Sequence, residues 1–172
     1  MCGRPALDGI THPVCRSQYC IDGLTSFFHY DGPVQKAIKA IKYRYISDLT
    51  GEFVSLIPKF SFTKPYTLIP IPLHPARFKH RGFNQAEALG TLLPIPMRTD
   101  ILRRTKATTP QVDMKDRKKR LANMKNAFIA QNSLDNVLLF DDVFTTGATM
   151  RSAAVALKHA GTTFVWAVTM AR

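Results

Sequence analysis

The chain has little to staple it covalently and nothing long enough to hold it in a membrane. Its 172 residues include three cysteines, Cys2, Cys15 and Cys20, crowded at one end. An odd, clustered count argues against a disulfide framework and suggests instead a small metal knuckle. No uninterrupted apolar run approaches the roughly 18–20 residues of a membrane span. The opening Met1-Cys2-Gly3-Arg4-Pro5 lacks the apolar core of a signal peptide. A soluble, cytoplasmic protein without membrane insertion is the expectation. Acidic side chains are scarce: 12 Asp and Glu stand against 24 Lys and Arg, a formal charge of +12. The glycine-rich phosphate loop with its lysine and the dinucleotide Gly-x-Gly-x-x-Gly are both missing. No internal repeat or low-complexity tract is visible, and no helix-turn-helix supports a transcription regulator.

What is present is ordinary for a globular chain, 45% hydrophobic with eleven Phe and five Tyr, enough for one domain with a real core. The positive excess is uneven. Between Arg98 and Asn126, ten Lys and Arg face three Asp, a local charge of +7. That fits a solvated face, and equally an anionic partner such as a phosphorylated small molecule or a nucleic acid. Charge alone does not separate them.

Residues 1–25 show no clean periodicity and read as loops. Ser26 to Tyr30 reads as a short strand, and Asp31-Gly32-Pro33 as a turn into a helix. In that helix Val34, Ala37, Ile38 and Ile41 form an apolar stripe with Lys36, Lys39 and Lys42 outside it. A second helix is predicted from Ser47 to Ile57. Strands and helices then alternate: strand Thr67–Ile71, helix Asn84–Leu93, strand Met97–Leu102, helix Met114–Phe128, strand Asn136–Phe140, helix Ala148–Ala160 and strand Thr163–Thr169. Such alternation predicts an α/β fold with a mostly parallel central sheet flanked by helices.

The most informative stretch runs from Val137 to Thr149. An apolar strand delivers Asp141 and Asp142 to the C-terminal edge of a parallel sheet, where ligands of open α/β folds bind. Thr145, Thr146, Gly147, Ala148 and Thr149 then offer hydroxyls, backbone N–H groups and a helix N-terminus, which together suit a phosphate monoester. Neighbouring carboxylates suit the vicinal hydroxyls of a ribose. A second stretch, Ile69-Pro70-Ile71-Pro72-Leu73-His74-Pro75 with Arg77, Lys79, His80 and Arg81, is a strand running into a stiff, basic loop at the same sheet edge. Cations there can bind pyrophosphate. A third spans Arg103-Arg104-Thr105, Gln111, Arg117, Arg120 and Asn123. Arg117 shares a helical face with Met114, Leu121, Met124 and Phe128, so it snorkels or reaches for a partner.

The Val137–Thr149 segment resembles the phosphoribosyl pyrophosphate signature of type I phosphoribosyltransferases. The stretch from Pro70 to Gln85, with Arg81-Gly82-Phe83-Asn84-Gln85, narrows the resemblance to the ComF family of bacterial competence proteins. The resemblance implies a phosphoribosyltransferase core over 67–172, a hood over 26–66 and a cysteine-containing knuckle over 1–25. Asp141 and Asp142 would hold ribose hydroxyls and Thr145 to Thr149 the 5-phosphate. His74, Arg77 and Arg81 would meet pyrophosphate, and Arg104, Gln111 and Arg117 would serve catalysis on a closing flap. The ligand implied is 5-phosphoribosyl-1-pyrophosphate with Mg²⁺, transferred to an acceptor met by the hood, whose Phe27, Phe28, Tyr30, Tyr43 and Tyr45 suit stacking or packing alike. ComF proteins begin with a four-cysteine zinc knuckle. Cys2, Cys15 and Cys20 match three of its ligands, and for the missing fourth either His12 substitutes, or zinc is bound poorly, or the sequence is truncated. The family is linked to uptake of single-stranded DNA with a helicase-like partner. A non-catalytic, single-stranded DNA-binding competence factor that keeps the fold as sensor or scaffold is therefore the alternative to an enzyme.

Overall fold

The computed structural model describes residues 7–44, 48–57, 65–106 and 127–172. Its centre is a four-stranded, fully parallel sheet in the order β1 (Gly23–Phe28), β6 (Phe164–Ala171), β5 (Asn136–Val143), β2 (Thr67–Pro70). The registers run Leu139 beside Ala167 and Ile69 beside Leu139, so the strands' C-terminal ends share one edge. The α/β class and the mostly parallel sheet are as expected. No helix among the described residues is long and apolar enough to cross a membrane.

The core follows from strand alternation, which sends successive side chains to opposite faces. Val137 and Leu139 of β5, with Val165 and Ala167 of β6, pack on α6 (Ala148–His159) through Met150, Ala153, Ala154 and Leu157. Leu138 and Phe140, with Val168 and Met170, pack on the other face. There they meet Ile38 and Ile41 of α2 (Gly32–Arg44), Phe53 of α3 (Asp48–Ser55) and Leu89 of α5 (Gln85–Gly90). Both faces of β5 are thus covered, which is why it reads as a continuous apolar run.

Five expectations are corrected. Residues 1–25 are not all loop: α1 (Pro13–Tyr19) starts on a proline at its first turn and ends at Cys20 in the left-handed region, φ 58°. Its neighbour β1 begins at Gly23 rather than Ser26 and joins the central sheet as an edge strand. The basic segment after His74 is a helix, α4 (Pro75–Arg81). The His74 Nδ1 accepts from the Ala76 N–H at 3.2 Å, Pro75 supplies the first turn, and Gly82 closes the helix at φ 80°. The strand expected at Met97–Leu102 is β3 (Leu102–Arg104), with Met97 making only an isolated bridge to Leu68. Phe128 is not the end of a helix. It opens β4 (Phe128–Ala130), which pairs antiparallel with β3 so that Arg104 stands opposite Phe128. The rest of the helix expected over Met114–Phe128, including Gln111 just before it and Arg117, lies outside the described residues, apart from Ala127.

The far end of the sheet is tied by Asp22, just before β1. Its buried carboxylate pairs with Lys158 of α6 at 2.9 Å, with Arg16 of α1, and accepts the Val165 N–H at 2.8 Å. One side chain thereby joins α1, α6 and the start of β6.

Candidate functional site

β5 runs through the acid pair rather than stopping before it, ending at Val143. The chain then turns through Phe144, Thr145, Thr146 and Gly147 into α6. Phe144 is buried and its N–H donates to the Ala171 carbonyl at 2.8 Å, so the turn is anchored to the end of β6. Gly147 is the helix N-cap with φ 74°. A Cβ there would lie 2.7 Å from the Phe144 ring, so both the backbone sign and the space demand glycine. Thr146 Oγ1 accepts from the Ala148 N–H at 3.4 Å. Asp141, Phe144, Thr145, Gly147, Ala148 and Thr149 line an open depression over the start of α6. Except for Asp142 and Thr146, all the residues expected to hold ribose and 5-phosphate meet in that depression.

Asp142 sits differently. It continues the Leu138–Phe140 row toward α2 and is buried. Its Oδ1 accepts the Val143 N–H at 3.0 Å, and its Oδ2 accepts from Lys42 Nζ at 2.8 Å. Lys42 escaped the sequence reading, which set it outside the apolar stripe. The signal was there: Lys42 is four residues after Ile38, on the same helical line, a cation on an apolar face.

The acids titrate in opposite directions. Burial, then the negative charge of Asp142, holds the Asp141 proton well above the usual carboxylate range, with Lys42 opposing. Burial pushes Asp142 the same way, but Lys42, by charge and hydrogen bond, outweighs it and keeps Asp142 below that range. The Lys42 ammonium is correspondingly retained: burial disfavours it, and the field of Asp142 and Asp141 more than offsets burial and the opposing charge of Arg81.

The second and third motifs converge on the same edge. Arg104 of β3 is buried and stands 5.4 Å from the centroid of the Phe128 ring. Burial and then the charge of Arg77 lower its pKa to about 10, with Asp141 opposing, so Arg104, Arg77 and Asp141 are electrostatic neighbours. It stays cationic at neutral pH. Arg81 donates from Nη1 to Gln85 Oε1 at 3.0 Å and lies within the field of Lys42. His74 serves as the cap of α4. Asn84 is structural: its Nδ2 donates to the Ile71 carbonyl at 3.0 Å while its Oδ1 caps α5 at the Ala86 N–H.

Of the three cysteines, Cys2 lies outside the described residues. Cys15 lies within α1 and Cys20 at its C-cap, and both pack against the core. Among the described residues no group of three His, Cys, Asp or Glu could hold a metal ion.

No protein-family model matches the chain. It is 29% identical to the competence protein ComFC of Bacillus subtilis over 177 residues, covering 94% of this chain and 71% of that one. It is 35% identical to competence protein F of Haemophilus influenzae over 56% of this chain and 46% of that protein. It is 34% identical to the DNA utilization protein YhgH of Escherichia coli O157:H7 over 59% of this chain and 48% of that protein. The chain thus spans less than half the length of the last two relatives. Among solved structures it aligns with a hypoxanthine phosphoribosyltransferase from Staphylococcus aureus at 18% identity, over 78% of this chain and 62% of that one. The TM-score of that alignment is 0.33, too slight an overlap to carry an argument. Its sequence relatives are thus competence and DNA utilization proteins, in keeping with the resemblance to the ComF family.

Proposed function

We propose that this protein binds 5-phosphoribosyl-1-pyrophosphate and acts as a phosphoribosyltransferase-like component of DNA uptake. The carrying observation is that Asp141, Thr145, Gly147 and the start of α6 line one depression, and that Asp141 lies in the fields of Arg104 from β3 and Lys42 from α2, which themselves neighbour Arg77 and Arg81 of α4. In this reading Asp141 takes a ribose hydroxyl, and the turn and the first amides of α6 take the 5-phosphate. The guanidinium of Arg104, already desolvated, faces the diphosphate with Arg77 and Arg81. Transfer breaks the bond from C1 of the ribose to the pyrophosphate oxygen and forms one from C1 to the acceptor nucleophile. The arginines neutralise charge gathering on the leaving pyrophosphate. Among the described residues the acid pair is met by cations rather than a metal cage, so Mg²⁺ would enter with the diphosphate and would add charge neutralisation to the leaving group. The role in DNA uptake is supported by relatives named for competence and DNA utilization.

The test is calorimetric titration of the magnesium complex of 5-phosphoribosyl-1-pyrophosphate into the wild type and Asp141→Asn. Binding on the order of micromolar, lost in the variant, is expected. A folded wild type that takes up no heat overturns the reading.

A second reading has its own observation. Helix α4 buries none of its residues and carries Arg77, Lys79, His80 and Arg81 around Phe78, which is 47% exposed. Cations flanking an exposed ring suit single-stranded nucleic acid. Binding of an oligonucleotide that persists in Asp141→Asn and weakens steeply with salt would favour a scaffold role.

A further inference from the structure

The adjacent acids at the end of β5 are held by unlike surroundings. Asp141 stands on the α6 side and lines the depression, half-buried. Asp142 stands on the α2 side, and within the chain its Oδ1 and Oδ2 are engaged by the Val143 N–H and the Lys42 ammonium. Lys42 comes from a helix 100 residues away in sequence, with its side chain 27% exposed against 10% for Asp142. The pair is also joined through the backbone, the Asp142 N–H donating to Asp141 Oδ1 at 2.9 Å. A chain of contacts therefore runs from the depression through Asp141 and Asp142 to Lys42.

A polyanionic ligand faces an obvious obstacle here. Two ionised carboxylates at the same strand end would repel a diphosphate and a phosphate monoester together. We propose that Lys42 is a positioning residue that neutralises and pins Asp142 from α2, so that the ligand meets Asp141 as the single carboxyl of the site. This rests on the ribosyl-diphosphate reading and deepens it: α2 is part of the ligand-recognition apparatus without touching the ligand. The resemblance implied that both acids contact the ribose; in this chain the second acid serves the first.

Lys42 from α2 faces both acids and Arg104 from β3 faces Asp141, while Arg81 and Arg77 of α4 lie in the fields of Lys42 and Arg104. Three arginines remain when Lys42 is removed, so the site stays cationic. What changes is the buried Asp142, which loses its counter-ion. At about 4–8 Å in a protein-like dielectric, one uncompensated charge shifts the affinity of an anion on the order of tenfold or more. The direction of titration agrees with the geometry: Asp142 is held ionised chiefly by Lys42, and the Asp141 proton is held by burial and by Asp142.

The decisive experiment is a charge-pair rescue. Affinity for the magnesium complex of 5-phosphoribosyl-1-pyrophosphate is measured for wild type, Lys42→Arg, Lys42→Met and Lys42→Met/Asp142→Asn. The inference expects Lys42→Arg to bind close to wild type and Lys42→Met to bind on the order of tenfold more weakly. The double variant should recover most of that loss, since removing the carboxylate removes the need for its counter-ion. A double variant as weak as Lys42→Met overturns the inference, because Lys42 would then contact the ligand itself. Unchanged binding by Lys42→Met overturns it as well. Carboxyl-carbon NMR titration of the ligand-free protein keeps the test independent of the ligand. There Asp142 should titrate below and Asp141 above the usual range, and Lys42→Met should move Asp142 upward. If the wild type binds no ligand but this titration holds, the ribosyl-diphosphate reading fails while the pairing stands. If Asp142 is indifferent to Lys42, the pairing itself is refuted.

Discussion

Asp22 is a place where a single substitution should cost much stability at little cost to function. Its side chain is 2% exposed and answers three groups: Lys158 at 2.9 Å, Arg16, and the Val165 N–H at 2.8 Å. Asp22→Ala leaves the Val165 amide without that acceptor, about 1–3 kcal/mol for a buried donor. It also strips Lys158, 24% exposed, of its counter-ion, although Nζ keeps the Thr163 carbonyl at 2.6 Å. Breaking a fully buried pair costs about 3–5 kcal/mol, and the partial exposure of Lys158 reduces that share. Arg16 is 56% exposed and adds little. The sum is about 3–5 kcal/mol, or a fall in Tm of roughly 6–20 °C for a domain of this size. Asp22→Asn keeps the shape and an acceptor oxygen and should lose less than half as much. Urea unfolding of the three proteins measures the differences. Asp22 anchors the start of β6, whereas the candidate site lies at the opposite end of the sheet, so ligand affinity in Asp22→Asn should be unchanged. An Asp22→Ala protein within about 0.5 kcal/mol of wild type would show that the knot contributes nothing and refute the reasoning.

Asp141→Asn should abolish ligand binding yet raise Tm at pH 7. The folded chain holds the Asp141 proton above the ordinary 3.8, so ionisation opposes folding increasingly as pH rises above that value. The Tm gap should therefore close as pH falls toward 4 in calorimetric scans. A variant less stable than wild type at pH 7 contradicts the assignment. Asp142 runs the other way: its contribution is present above 3.8 and is lost as pH falls through its lowered value. Gly147→Ala must place a side chain at φ 74° and 2.7 Å from the Phe144 ring, which should cost about 2–4 kcal/mol in chemical unfolding and weaken binding of ribose 5-phosphate. Wild-type affinity in that variant would remove the turn from the phosphate site. Arg104→Met should leave the fold intact, since the thioether can lie on Phe128, while lowering affinity for the diphosphate by about tenfold or more. Equal affinities would exclude Arg104 from the site.

Local pattern was enough where the physics is local. The apolar run from Val137 to Phe140, the glycine that ends α6 and the hydroxyl-rich turn into that helix each carry their own structural reason, and the parallel sheet follows from their alternation. Two errors were also local and avoidable. His74-Pro75 followed by Gly82 is a complete set of helix signals, cap, first-turn proline and left-handed stop, yet it reads as a loop when attention rests on its charges. Lys42, four residues beyond Ile38, is the same kind of stripe-breaking cation as Arg117.

Other features are beyond any local pattern. Arg104 and Phe128 become cross-strand neighbours only because β3 and β4 pair, a contact between segments far apart in the chain. Asp22 meets Lys158 because β1 joins the sheet beside β6. Above all, the sequence by itself determined that two aspartates stand together at the end of a buried strand before a phosphate-suited turn. Only the tertiary structure decided that they are unequal. Strand alternation points one toward α6 and the other toward α2, and the lysine waiting on α2 makes the second an anchored, ionised partner to the first.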